Sequence, residues 1–275
     1  MMPNRSLLLG TTVFTLIVLI AIAAPWIAPQ DPLAMDPMHR LRAPSVLHWL
    51  GTDALGRDVF SRTLRGGRTS LIIGLGVSII TTIIGVAIGI LAGMFRRLDP
   101  LIMRAVDALM AIPAILLAIA LVTINKPTIL VLIAAIALPE IPRMVRLVRA
   151  VVLTLATQPF VTAAVASGSS PARVIRLHII PNALAPILVQ ASFIAAVAII
   201  LEASLGFLGA GAPPEIASWG NIIAAGRAYI RTAPWIILSP GTALALTVLS
   251  INLVGDGLRD ALDPRLTHFV TRSIR

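Results

Sequence analysis

Residues 158–182 read QPFVTAAVASGSSPARVIRLHIIPN, a polar and basic island in a chain that is otherwise largely apolar. Pro159 opens it, and Phe160 to Ser167 is alanine-rich enough to coil. Gly168 suits the left-handed residue that ends a helix. Ser170 then offers a capping hydroxyl with Pro171 at the first helical position, which predicts a second helix. Arg173 and Arg176, three residues apart, share a face. Pro181 is expected to stop that helix after Ile180, because it has no N–H to donate and its ring crowds the preceding turn. A helix–turn–helix this short cannot bury its own apolar face. It is either an ordinary loop between spans or an element that needs a partner or a membrane surface.

The surrounding chain sets the class. Of 275 residues, 57% are hydrophobic and 12% charged, against roughly a quarter charged in soluble domains. That shortage of charge predicts an all-α polytopic membrane protein. With no cysteine, disulfides and thiolate chemistry are excluded. The net charge of +10 is almost all arginine, which in a membrane chain reflects topology and anionic lipid more than nucleic acid.

Six apolar runs are long enough to span. The first is Leu7 to Ile27, which also contains an A-x-A pattern at Ala21-Ile22-Ala23. Its length favours a retained span over a cleaved leader. The second is Leu71 to Phe95, closed by Arg96-Arg97. Within it Gly85, Gly89 and Gly93 are spaced by four, allowing close helix approach. The third runs from about Met103 to Ile124 with Asp107 near its start and Pro113 inside. The fourth starts near Thr128 and ends in LPEIPRMVRLVR (138–149). The fifth is about Ala185 to Leu208 and the sixth about Trp235 to Val254.

Two hydrophilic stretches flank the spans. Residues 28–70 begin proline-rich and end in LGTDALGRDVFSRTLRGGRTSL (50–71), read as a short amphipathic helix on the membrane surface. Residues 209–233 form the second. An N-terminal part is therefore expected over 1–70, a transmembrane domain over 71–266 and a tail over 267–275. Six spans put both termini on one side. Placing them inside puts 13 positive residues on the cytoplasmic face and 9 outside, so the island at about 158–182 becomes cytoplasmic.

Several chemistries are absent. The one lysine, Lys126, lies between Asn125 and Pro127, so no phosphate-binding loop exists. There is neither an H-E-x-x-H helix nor a G-x-S-x-G turn, and the four histidines lack metal spacing. An intramembrane enzyme is poorly supported, and no inverted repeat argues for a secondary transporter.

Four blocks carry a family resemblance: residues 50–71, 160–182 ending in Pro181-Asn182, 200–223 (ILEASLGFLGAGAPPEIASWGNII) and 252–266 (NLVGDGLRDALDPRL). Taken together, over roughly residues 50–266, the chain resembles the permease subunit of a type I ABC importer. Within that group it looks like the dipeptide, oligopeptide and nickel family, on the side of the second of the two paired permeases. The resemblance implies a type I ABC importer permease fold with a cytoplasmic coupling helix in its EAA loop, here 158–182. It implies a homologous second permease, two cytoplasmic ATPases that use ATP and Mg, and an extracytoplasmic solute-binding protein. It implies no catalysis and no cofactor on this chain, and residence in the bacterial inner membrane. Ala163, Ala164, Gly168, Ser170 and Arg173 are then expected at the ATPase contact. The chain departs from the family pattern at Thr162, where an acid is usual, at Val165, where a base is usual, and at Leu138, where relatives often carry Trp.

Other positions keep two readings. Glu202 sits in an apolar run, where an ionisable group is a pathway candidate by default, or else a structural group near the span end. Asn252 is a second pathway candidate. Asp53, Arg57, Asp58 and Trp219 either contact the binding protein at the outer face or tie the outer segment to the bundle. Asp107 reads as structural, and Asp256, Arg259, Asp260 and Asp263 as a network in a surface helix of the tail. The cargo is expected to be a di- or oligopeptide, with nickel chelates, opines or another small solute as the alternative.

Overall fold

A computed structural model describes residues 5–213 and 215–262. The described chain is helical. Its ten α-helices are α1 (Arg5–Ile27), α2 (Val59–Met94), α3 (Asp99–Met110), α4 (Ala114–Ile124), α5 (Ile129–Ala156), α6 (Pro159–Ala166), α7 (Pro171–Val174), α8 (Ile180–Phe207), α9 (Trp219–Gly226) and α10 (Trp235–Leu262).

α2 is the post around which the rest is packed. Its glycines make the seam with α5: a Cβ on Gly85 would stand 2.5 Å from the Met144 side chain, one on Gly89 2.7 Å from Val148, and one on Gly93 2.6 Å from Val152. Without side chains on α2 the two backbones close up and gain dispersion contacts that lipid cannot replace. Ile73, Val77, Leu132, Ile136, Met144, Val148, Val152, Ile179 and Ile194 form the buried core of α2, α5 and α8. α1 leans on α10, with Gly10 against Leu253 and Gly257 against Leu7.

Among the described residues, four helical stretches are long and apolar enough to cross a membrane: α1, α2, Pro171–Phe207 and α10. The α3–α4 pair raises this to as many as five. α5 is 28 residues long but carries Glu140, Arg143, Arg146 and Arg149 in its second half.

Four sequence expectations are corrected. The segment before the second span is not a separate surface helix. It is the first two to three turns of α2, which starts at Val59, so a division at residue 70 falls inside one helix. Asp58 caps that helix by accepting from the Ser61 N–H at 2.8 Å, and nothing after it breaks the helical register. The third span is not one rod. Pro113 caps α4, and α3 and α4 meet at 84°, as expected where a proline removes a donor. Pro181 does not end its helix. Ile175–Ile179 open into a π-turn in which the Ile180 N–H reaches the Ile175 carbonyl, five residues back. The wider turn makes room for the proline ring, and helix continues to Phe207. Finally, the tail helix is the end of α10, with Asp256, Arg259 and Asp260 on its last turns. Asp263 and the tail 267–275 lie outside the described residues.

Candidate functional site

Two polar regions sit at opposite ends of α2. At its C-terminal end, beyond α5, lies the elbow formed by α6 and α7. α6 ends as its sequence predicts. Gly168 takes φ +81°, the Gly168 N–H donates to the Val165 carbonyl at 3.0 Å and the Ser169 N–H to the Ala164 carbonyl at 3.1 Å. This pair of bonds closes a Schellman turn around a residue in a conformation that costs any side chain. Ser170 caps α7, accepting from the Arg173 N–H at 3.4 Å, and Pro171 follows as the first helical residue.

Burial gives the elbow two faces. Val161, Val174 and Ile179 are buried in the bundle core, and Ala164 packs half-buried against it. Ala163, Gly168, Ser170 and Arg173 are exposed. A Cβ on Gly168 would meet nothing within 4 Å. The open face therefore combines small groups and arginines with the exposed apolar side chains of Phe160, Val165 and Leu177. Residues 158–182 hold no acid to neutralise Arg173 and Arg176. Where this chain has Thr162, the hydroxyl turns back on its own helix and donates to the Pro159 carbonyl at 3.0 Å.

At the other end of α2 the polar groups face inward. Asp53 accepts from the Leu55 and Arg57 N–H groups at 2.8 and 3.0 Å and from Arg57 Nε at 2.7 Å, with Arg62 Nε 3.6 Å away. Asp58 pairs with His48 Nδ1 at 3.0 Å besides capping α2. Asp53, Arg57, Asp58 and Arg62 are all buried. A second buried knot follows. Ser70 Oγ on α2 donates to Glu202 Oε2 on α8 at 2.8 Å and accepts from the Trp219 N–H at 3.2 Å. The Trp219 indole Nε1 donates to the Thr63 carbonyl at 3.0 Å. Gly67 leaves room for the ring, since a Cβ there would stand 2.9 Å from it. Ser218 and Asn221 form a capping box that starts α9 at this point.

The sequence candidates thus separate. Asp53, Arg57 and Asp58 are brought together, and Glu202 and Trp219 share Ser70. Asp53, Arg57, Asp58 and Trp219 are all buried, with their side chains turned into the fold. Glu202 is completely buried and is held by Ser70, not by an arginine. Asn252 is half-buried on α10, next to Ile251, which lines a cleft with Ala195 of α8. That lies about two turns along α8 from Glu202.

Sequence reasoning read Asp107 as structural and left the rest of its ion-pair set unassigned. Arg149 clasps Asp99 on α3 through Nε and Nη2, at 2.5 and 2.6 Å. Arg146 holds Asp107 at 2.6 Å, and Arg143 holds Glu140 at 3.2 Å. The signal was present in the spacing: three arginines at intervals of three and an acid three residues before the first, so that each is a neighbour of the next along a strip winding half-way round the helix.

The model for the binding-protein-dependent transport system inner membrane component matches residues 85–268, which include the whole elbow. The chain belongs to this family. A second model, the N-terminal transmembrane domain of oligopeptide transport permease C, matches residues 2–44. The chain is 50% identical to a "probable peptide ABC transporter permease protein" of Sinorhizobium fredii, over 94% of this chain and 88% of that one. It is 44% identical to a di/tripeptide transport system permease protein of Pseudomonas aeruginosa, over 96% and 89%. In fold it is similar to a chain of the inward-facing MetNI methionine ABC transporter, with a TM-score of 0.62 at 20% identity, covering 74% of this chain and 97% of that one. The resemblance drawn from the four sequence blocks is borne out: this is a permease of the ABC importer class, a membrane component with several apolar helices.

Proposed function

We propose that this chain is one of two paired permeases of an ATP-driven peptide importer in the bacterial inner membrane. It crosses six times, with α5 as the span that apolarity alone does not single out and the bent α3–α4 pair as another, and both termini are cytoplasmic. The single observation that carries the mechanism is the two-faced elbow. Its inner face is fixed in the core by Val161, Val174 and Ile179, and its outer face is open.

Ala163, Ala164, Gly168, Ser170 and Arg173 form the contact with a cytoplasmic ATPase. Small side chains allow close approach, and Arg173 supplies charge. The elbow is joined to the spans without slack: α5 precedes it by two residues, and helix runs on from Pro171 to Phe207. When partner ATPases close on ATP and Mg, displacement of the elbow is carried along these rods and switches the pathway between inward-open and outward-open. ATP binding and hydrolysis are assigned to the partner ATPases, in keeping with this chain's membership of a transport-system membrane-component family.

At the outer end an extracytoplasmic binding protein delivers cargo. Asp53, Arg57, Asp58 and Trp219 serve this contact by bracing the loop that meets it. Glu202 ties α9 to α2 and α8 at the mouth of the pathway, with Asn252 further along it. Peptide cargo is supported by the relatives, whose names specify peptides and di/tripeptides.

The test is Gly168→Asp in the complete assembly. The expected result is ATP hydrolysis that no longer drives peptide uptake, or failure of the ATPases to co-purify. Normal coupled uptake would remove the elbow from the mechanism.

A further inference from the structure

The ion pairs between α3 and α5 lie at membrane depth. Arg96-Arg97 follow α2 and mark one interface. The α2–α5 seam then gives a ruler: Gly93 is level with Val152, Gly89 with Val148 and Gly85 with Met144. Gly85 precedes Phe95 by ten residues, about 15 Å of helix. Arg143, next to Met144, therefore sits about halfway through a hydrocarbon core of roughly 30 Å. Arg149, whose carbonyl meets Gly93, is near the interface, and Arg146 lies between.

These groups are not hidden inside the chain. The side chains of Arg143, Arg146 and Asp107 are 51%, 47% and 58% exposed. Glu140 is 1% exposed and anchors Arg143 from beneath. Charged groups at this depth do not face hydrocarbon; they face a partner or a water-filled path. Among the described residues, Arg143 engages Glu140 through Nη1 alone, which leaves its other N–H groups, a planar donor set that suits a carboxylate, on a half-exposed side chain.

We infer that Arg143, Arg146 and Asp107 line the aqueous transport path, and that Arg143 receives the carboxylate of the passing cargo. The inference rests on the importer reading and adds a cargo contact to it. Arg146 and Asp107 neutralise each other, and Glu140 answers Arg143 from one side, so the strip is balanced in charge and offers the cargo the remaining N–H groups of Arg143 and not an anion trap. Cargo is held weakly enough to leave.

The chain has no cysteine, so single cysteines can be placed cleanly. The assembly, with its sister permease, ATPases and binding protein, is reconstituted in proteoliposomes carrying Arg143→Cys, Arg146→Cys or Ile83→Cys. Ile83 is an exposed apolar residue of α2 at about the depth of Arg143. A cationic, membrane-impermeant methanethiosulfonate should modify positions 143 and 146 and spare 83. No modification at 143, or equal modification at 83, overturns the proposal. Uptake of labelled alanyl-alanine gives the second reading. Arg143→Gln should lower it about ten- to hundredfold, the scale of one charged hydrogen-bonded contact, and Arg143→Lys should keep most of it. Retained uptake in Arg143→Gln, or equal loss in Arg143→Lys, overturns the carboxylate contact. If the unaltered assembly fails to accumulate the dipeptide, the peptide-importer reading falls, and the labelling contrast still decides whether the strip is wet.

Discussion

The elbow and the loop before α2 look alike in sequence. Both are polar, arginine-bearing and broken by glycine and proline. They fold in opposite senses. At the start of α2, Asp53 answers Arg57 and Arg62, Asp58 answers His48, and Asp53, Arg57, Asp58 and Arg62 are withdrawn from solvent. In the elbow the arginines have no acid within residues 158–182, and the glycine at the turn faces open space. Internal neutralisation builds a brace, whereas charge without a local partner leaves an open face, the one we propose for docking. Substitutions should therefore cost stability at one end and coupling at the other.

The largest effect is expected at Asp53. Asp53→Ala leaves Arg57 and Arg62 buried without their carboxylate, a change worth about 3–5 kcal/mol. Thermal unfolding in detergent should show a collapse of the folded fraction. A shift no larger than that of a surface substitution would break the distinction between the two ends.

The next contrast pairs two glycines. Gly67→Leu drives a side chain into the Trp219 ring, where even a Cβ would stand 2.9 Å away. Overpacking of this kind costs about 1–3 kcal/mol. Gly168→Ala meets no neighbour and pays only for its left-handed backbone, about 1–2 kcal/mol. Its stability loss should be the smaller of the two, measured by the same melting experiment. Reversal of that order would mean that the elbow is packed and the outer knot is slack.

How far the sequence could be read follows from the same physics. The elbow was legible almost residue by residue, because Gly168, Ser170 and Pro171 act through bonds to atoms two to five positions away. The four long apolar helical stretches, α1, α2, Pro171–Phe207 and α10, were legible from apolar length, whereas the prolines were not. Pro113 could have bent or merely interrupted a span, and Pro181 could have ended a helix or been absorbed. Which outcome wins depends on how the neighbouring turns pack, as the π-turn at Ile175–Ile179 illustrates. The buried knots were not legible. Ser70 and Glu202 are 132 residues apart, and Arg149 and Asp99 are 50 apart. Apolar periodicity says that a charged residue interrupts a span, but it carries no record of which distant group answers it.

The smallest stability effect, and the sharpest functional one, belongs to Arg173. It is exposed and lies one turn into a helix capped by Ser170. Arg173→Glu removes no buried contact, so unfolding should change by no more than about 0.5 kcal/mol. If the open face meets an ATPase, the reversal places an acid where the partner surface is matched to a cation, and like charges across an interface cost several kcal/mol. Uptake driven by ATP should then fall by at least about tenfold while the melting curve stays in place. Co-purification of the ATPases separates lost docking from lost coupling. An Arg173→Glu assembly that melts, docks and transports normally would show that the unneutralised charge of the elbow faces only water, and the contrast between the two ends would lose its functional half.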